Sequence, residues 1–234
     1  ILEIKSCSKC GSTALVNNGR NGVGNPRYKC KDCQFSGVIK SRRADESTKE
    51  LVVKASQERS SLRGLSRTFG IGRQTASNWI KKSPVLPDIV HTLLPVKKTD
   101  VLELDELWSY VYCKQAKRWV WIALCRRTRQ IVSYYIGDRS VKSCKAFWQL
   151  VPKKYRRCWS FSDFWDAYSK VIDTGKHFMF GKQSGETNHV ERWNNTLRQR
   201  ISRFVRKTLS FSKSDEMHEL YLKLFIYTHN LSCF

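Results

Sequence analysis

Negative charge is scarce in this 234-residue chain: 20 Asp and Glu stand against 43 Lys and Arg, a formal net charge of +23. That shortage argues against the mixed-sign surface of ordinary solubility and makes a phosphate polymer the first partner to consider. The excess is no tail, because 17 basic and 6 acidic residues precede or include Ser83, and 26 and 14 follow it. With 41% hydrophobic and 12% aromatic residues, a disordered basic arm is excluded. No run of about 18 apolar residues occurs, so no membrane span is expected. The opening "ILEIKSCSKC" has no signal-peptide pattern and no initiator Met. A processed, fused or truncated start and a cytoplasmic, reducing setting are expected. A disulfide framework is missing too, since Cys113, Cys125, Cys144, Cys158 and Cys233 are scattered.

The other four cysteines are patterned. Cys7 and Cys10 form one CxxC pair, and Cys30 and Cys33 repeat the spacing after 19 intervening residues. Two such turns can offer four thiolates to Zn²⁺ as a closed, structural set, and the Gly/Asn-rich middle suits a short ribbon of strands. Residues 1–42 are therefore expected to be a zinc ribbon, too small to fold without its metal. Lys9, Arg27, Lys29 and Lys31 around it could touch phosphate. From Ser47 the periodicity is helical, with Leu51, Val52 and Ala55 on one face. Leu62, Leu65 and Phe69 follow, then a Gly70-Ile71-Gly72 turn, then Ala76, Trp79 and Ile80. The pattern predicts a helix-turn-helix over 43–83. Its second helix starts near Arg73, so Arg73, Gln74, Thr75 and Asn78 point away from the core. Arg and Gln in the first turn of a recognition helix can pair with guanine and adenine edges in the major groove. Pro84, Pro87 and Pro95 mark residues 84–99 as a linker.

The remainder, 100–234, reads as an α/β domain with a mixed sheet. In "VLELDELWSYV" the alternation puts Glu103, Asp105 and Leu107 on one face and Leu102, Leu104 and Glu106 on the other. "WVWIAL" and "IVSYYI" complete an antiparallel meander, and Ser140 caps a helix to about Leu150. A fourth apolar run ends at Asp163, "HFMF" makes a fifth strand, and a long basic helix carries a lone acid, Glu191. Cutting a phosphodiester supplies a reason for acids in such a basic chain. Two Mg²⁺ or Mn²⁺ ions that activate the attacking oxygen and stabilise the leaving one need hard carboxylate ligands. Asp105, Asp163 and Glu191 could converge for that purpose.

"LELDELWSYV", "GDRS", "SDFWDAY", "TNHVERWNNTLRQR" and "RKTLSFSKS" resemble the transposases of the insertion sequence one family, Asp-Asp-Glu enzymes with a ribonuclease H-like core. The resemblance implies Asp105, Asp163 and Glu191 as the catalytic ligands of two Mg²⁺ or Mn²⁺ ions. It also implies a basic residue seven positions after the Glu, here Arg198, on the same helical face about 10 Å further along. Glu103, Glu106 and Asp166 rank below the triad. His189 and Asn195 are candidates for positioning DNA. The implied activity is cleavage at the 3′ ends of an element and strand transfer to target DNA, by at least a dimer on double-stranded DNA, nucleoid-associated in a bacterium or archaeon. The competing reading is a non-catalytic DNA-binding regulator, for which residues 1–83 would suffice.

Overall fold

A computed structural model of the chain describes residues 5–22, 24–38, 45–83, 87–172 and 175–233. They divide into two compact units, Ile1–Lys49 and Glu50–Phe234. The expected boundary at 42/43, and Pro84 in the expected linker, lie outside the described residues.

In the first unit β1 (Leu15–Arg20), β2 (Pro26–Cys30) and β3 (Ser36–Gly37) form an antiparallel sheet in that order. Among its described residues, only the side chains of Cys7 and Cys30 are buried. Among the described residues of this unit no apolar cluster forms, so the two cysteines are the buried side chains around which a ribbon this small would be held.

Three helices follow: α1 (Glu46–Ala55), α2 (Leu62–Phe69) and α3 (Arg73–Lys81). The Ser61 hydroxyl accepts from the Gly64 N–H at 3.0 Å and starts α2. Gly70 ends it at φ +64°, a left-handed cap that favours glycine. Val52, Leu65, Ala76 and Ile80 are buried and join the core described below. Leu51, expected to share the buried face of α1, is instead 54% exposed; Val52 is buried in the core, with Val53 and Ala55 packed against it. Arg73, Gln74, Thr75 and Asn78 all lie exposed on α3.

The main sheet has the order β6-β5-β4-β7-β8, with β4 (Val101–Tyr110), β5 (Lys117–Cys125), β6 (Ile131–Gly137), β7 (Trp159–Ser162) and β8 (His177–Met179). The first three are antiparallel, and β7 and β8 run parallel to β4. Alternation gives the sheet two apolar faces. Leu102, Leu104, Trp121 and Ala123 pack with Phe147 of α4 (Val141–Leu150) and Tyr168 of α5 (Asp166–Val171). On the other face, Leu107, Val120, Ile122 and Leu124 pack with α6 (Asn188–Arg200) and α7 (Asp215–Leu231). The result is a mixed α/β layer structure with helices on both faces of a mixed sheet. The described part of the expected linker packs onto this unit: the Gln130 amide donates to the Thr92 carbonyl at 2.7 Å and accepts from Leu94 N–H at 2.9 Å. Among the described residues, no helix is long and apolar enough to cross a membrane.

Candidate active site

β7 pairs with β4 only as far as Phe161 opposite Glu103. Beyond that point the edge of β4 is open on that side, and Asp163 follows directly from the end of β7 at Ser162. Carboxylates from both faces of β4 can therefore reach it. Asp105, Glu106 and Asp163 offer oxygens that all lie within 4.8 Å of one another. Glu106, set aside from the sequence because its Cβ faces away from Asp105, is thus part of the cluster. Alternation fixes where Cβ points; it does not fix where the neighbouring strand stops.

Helix α6 brings Glu191. Val190, Trp193, Asn194 and Leu197 are its buried face, the i, i+3, i+4, i+7 stripe of an amphipathic helix. Glu191, Asn195 and Arg198 line the same pocket as Asp105, Glu106 and Asp163, and Arg139 and Arg206 complete its basic wall. The pocket has a volume of ≈ 400 Å³. The Glu191 carboxylate accepts from the Thr187 hydroxyl at 3.0 Å, and Asp163 accepts from the Trp165 N–H at 3.0 Å. Arg198 donates to the Trp108 carbonyl at 3.2 Å, which fixes it along β4. Glu103 has a structural task. Fully buried, it accepts from the backbone N–H groups of His189 at 2.9 Å and Val190 at 3.1 Å, capping α6, whose N-cap Thr187 makes no side-chain cap bond. Arg126 Nε at 2.7 Å and His189 Nδ1 at 2.6 Å complete its shell, so this buried charge is paired. His189 thus faces Glu103 and is not among the residues lining the pocket. Asp166 pairs with Lys170 on the exposed surface of α5.

The acids differ in how their charge is met. Glu106 receives Arg139 Nε at 3.0 Å and the Tyr168 hydroxyl at 3.4 Å. Burial and Asp163 still hold its carboxyl above the ordinary range. Among the described residues Asp105 has no cationic partner within ion-pair distance. It accepts a side-chain bond from Asn194 Nδ2 at 2.7 Å. Burial first, then the charges of Glu106 and Asp163, push its carboxyl up to about 7. Asn194, which the sequence did not single out, also has its buried Oδ1 without a partner. Crowded carboxylates and an orphaned oxygen next to them fit a hard cation held at this pocket.

The cysteines fit a softer one. All four Sγ atoms lie within 4.8 Å of one another, with Cys7 to Cys33 and Cys10 to Cys30 each at 3.6 Å, and none is in a disulfide. Four sulfurs about 2.3 Å from Zn²⁺ would be about 3.8 Å apart in a tetrahedron. The backbone N–H of Cys33 is the main influence pulling the Cys30 thiol down, to about 7. Cys7 is lowered chiefly by the N–H of Lys9. Although the N–H of Ser12 pulls on Cys10, the neighbouring sulfurs of Cys33, Cys30 and Cys7, together with burial, push it up to about 12.

The second unit is therefore a mixed α/β fold with an acidic pocket walled by arginines, in a chain otherwise short of acids. The chain belongs to the IS1 transposase family, whose profile matches residues 100–232. It is 36% identical over 129 residues to the insertion element iso-IS1n protein InsB of Shigella dysenteriae, covering 55% of this chain and 95% of that one. To the insertion element IS1 protein InsB of Shigella flexneri it is 35% identical over 117 residues, or 50% of this chain and 86% of the relative. A crystal structure of the Mos1 mariner paired end complex with Mn aligns over 86% of this chain and 78% of its own, at 8% identity and a TM-score of 0.30, too slight a likeness to carry argument.

Proposed function

We propose that the chain is an Asp-Asp-Glu transposase that binds the ends of an insertion sequence, hydrolyses phosphodiester bonds at the 3′ ends and joins them to target DNA. The observation that carries this reading is one pocket lined by Asp105, Asp163 and Glu191, from three segments remote in sequence. The mixed sheet with helices on both faces supports a ribonuclease H-like core. Asp105, Asp163 and Glu191 would hold Mg²⁺ or Mn²⁺, since Glu106 is already matched by Arg139. Two such ions, when bound, supply Lewis acidity to the scissile phosphate and to the attacking and leaving oxygens. The chain's own part is to aim and to neutralise. Asn194 fixes one oxygen of Asp105, Glu103 anchors the helix that carries Glu191, and Arg198 and Arg206 face the polyanion from the wall. Asn195, exposed at the rim, contacts DNA.

In the same reading Cys7, Cys10, Cys30 and Cys33 hold a structural zinc, and α2 and α3 act as the helix-turn-helix. There Arg73, Gln74, Thr75 and Asn78 read the element ends, where the Gln74 to Asn78 bond of 3.0 Å would open on meeting a base edge. The test is nicking and joining with Mg²⁺ beside gel-shift affinity, for Asp105→Asn, Asp163→Asn, Glu191→Gln and Glu106→Gln. The three triad variants should lose both reactions and keep DNA binding, while Glu106→Gln retains cutting. A dead Glu106→Gln with an active Glu191→Gln would move the site to the compact trio on β4 and after β7.

A further inference from the structure

Strand β4 leads away from the acid pocket into a second surface that the reaction above does not use. Tyr110 ends the strand, about 17 Å from Asp105 at about 3.3 Å per residue. Trp108, Tyr110 and Phe211 form a run of rings with centroids 5.6 and 5.7 Å apart. The Tyr110 hydroxyl donates to the Thr208 carbonyl at 3.3 Å, which ties the segment after α6 alongside. A mainly apolar groove of ≈ 540 Å³ opens there, with Lys114 and Lys207 in its lining. At its lips Tyr112 is 72% and Leu209 98% exposed. Singly, such residues are ordinary; together on one mainly apolar groove they make the kind of exposed patch that marks an interaction site.

Tyr112 is also held in an unusual backbone state. Its φ is +67°, a left-handed conformation that is unfavourable for a residue with a Cβ. The Tyr112 N–H donates to Ser212 O at 2.7 Å, and the Cys113 N–H to Val111 O at 2.8 Å, so the ring is presented by a fixed loop. Exposed aromatic surface between lysines matches a nucleotide, whose base has a flat apolar face and whose phosphates are anionic. Continuity selects the same substrate. Arg206 lines the acid pocket and its neighbour Lys207 lines the groove, while Arg198 of the pocket binds the carbonyl of Trp108.

We infer that this groove binds an unpaired base of the DNA strand whose phosphate lies at the acid pocket. The base stacks on Tyr112 against Leu209, and Lys114 and Lys207 take the flanking phosphates. The inference rests on the transposase reading. At 3.4 Å per step the distance places that base within about five nucleotides of the cut. The groove therefore favours an end that is frayed or single-stranded next to the cleavage point, since unpairing costs least there.

The experiment uses the full chain without added Mg²⁺, so that nothing is cut. The probe is a 20-base-pair duplex with a single-stranded 3′ tail containing 2-aminopurine, compared with the blunt duplex. The tailed probe should bind at least about five-fold more tightly, with its fluorescence quenched by stacking. Tyr112→Ala and Leu209→Ala should each abolish the preference and the quenching, and Tyr112→Phe should restore both. Asp166→Asn, on the exposed surface of α5, should leave both unchanged; the triad is read separately by nicking with Mg²⁺, so an inactive triad and an inactive groove give different results. Equal binding of the two probes, or quenching that survives the Tyr112→Ala, Leu209→Ala double variant, overturns the inference. Sedimentation showing a DNA-free dimer in the wild type and a monomer in that double variant also overturns it, by giving the groove to a second copy.

Discussion

Two regions of this molecule are suited to a cation, and they are built in opposite ways. The cysteine cluster draws its ligands from two turns and supplies the buried side chains, Cys7 and Cys30, among the described residues of its unit. The acid pocket draws on β4, the residue after β7 and α6, set into a unit with apolar cores on both sheet faces. In the first, the metal would supply the fold. In the second, the fold is complete and positions the ligands, which leaves the pocket free to admit a substrate. A closed set of four soft ligands stabilises; an open set of hard ones can do chemistry.

The sharpest way to break this comparison is Cys30→Ser. Losing one thiolate should release the zinc and unfold the first unit, because binding free energy there is folding free energy, on the order of 10 kcal/mol. All eight tryptophans lie in Glu50–Phe234, so their fluorescence reports the second unit alone. Zinc content should fall to zero and proteolysis should remove the first 40 or so residues, while the tryptophan melting curve stays put. A Cys30→Ser protein that retains zinc and resists protease would mean that the cluster is not what holds the ribbon.

Acid should act on the second unit. His218, on α7, is fully buried against β4, bonded to Ser109 at 3.1 Å and Ser212 at 2.9 Å. Burial is the main cause that lowers its pKa from 6.5 to about 4. The unfolded chain thus takes up a proton below 6.5 that the folded one refuses. Its contribution is whole above pH 6.5 and is lost as pH falls towards 4, by about 3 kcal/mol in total. Urea unfolding followed by tryptophan fluorescence should show the wild type losing about 2 kcal/mol more than His218→Gln between pH 7 and pH 5. Parallel pH profiles for the two proteins would assign acid sensitivity elsewhere.

The same contrast governs what could be read from the sequence. Cys7, Cys10, Cys30 and Cys33 were legible because a CxxC turn is local. The five strands and the basic helix were legible because alternation and the 3.6-residue period are local too, and they put Glu103 and Asp105 on one face correctly. That Glu106 clusters with Asp105 and Asp163 was not legible, because its reach depends on where β7 stops. Glu103 gave no sign of capping α6, since the two are 86 residues apart and only the packing of helix on sheet brings them together. His189 looked like a DNA contact for its position near Glu191, and the structure turns it to Glu103. Arg139 lay within "GDRS", where Ser140 was read as a helix cap and Arg139 itself was noticed only as part of the resemblance.

Asn194 is the clearest case of a residue that only three-dimensional register reveals, and it gives the finest test of the comparison. In a closed four-cysteine set no outer residue is needed to aim the ligands. In an open carboxylate set the free rotation of each acid must be stopped by a neighbour. Asn194 sits one turn beyond Glu191 on α6 and donates to Asp105 at 2.7 Å, so it couples the strand acid to the helix acid. Asn194→Ala should leave zinc content and melting temperature nearly unchanged, yet weaken Mn²⁺ binding and slow nicking by about 10- to 100-fold. Electron paramagnetic resonance of free Mn²⁺ reads the first and a nicking assay the second. Asn194→Gln should recover little, since its amide is one methylene too long for a 2.7 Å bond from the same helix. If Asn194→Ala binds Mn²⁺ as the wild type does and still cuts slowly, the side chain acts on DNA and not through Asp105, and the contrast between the closed and the open site loses its structural basis.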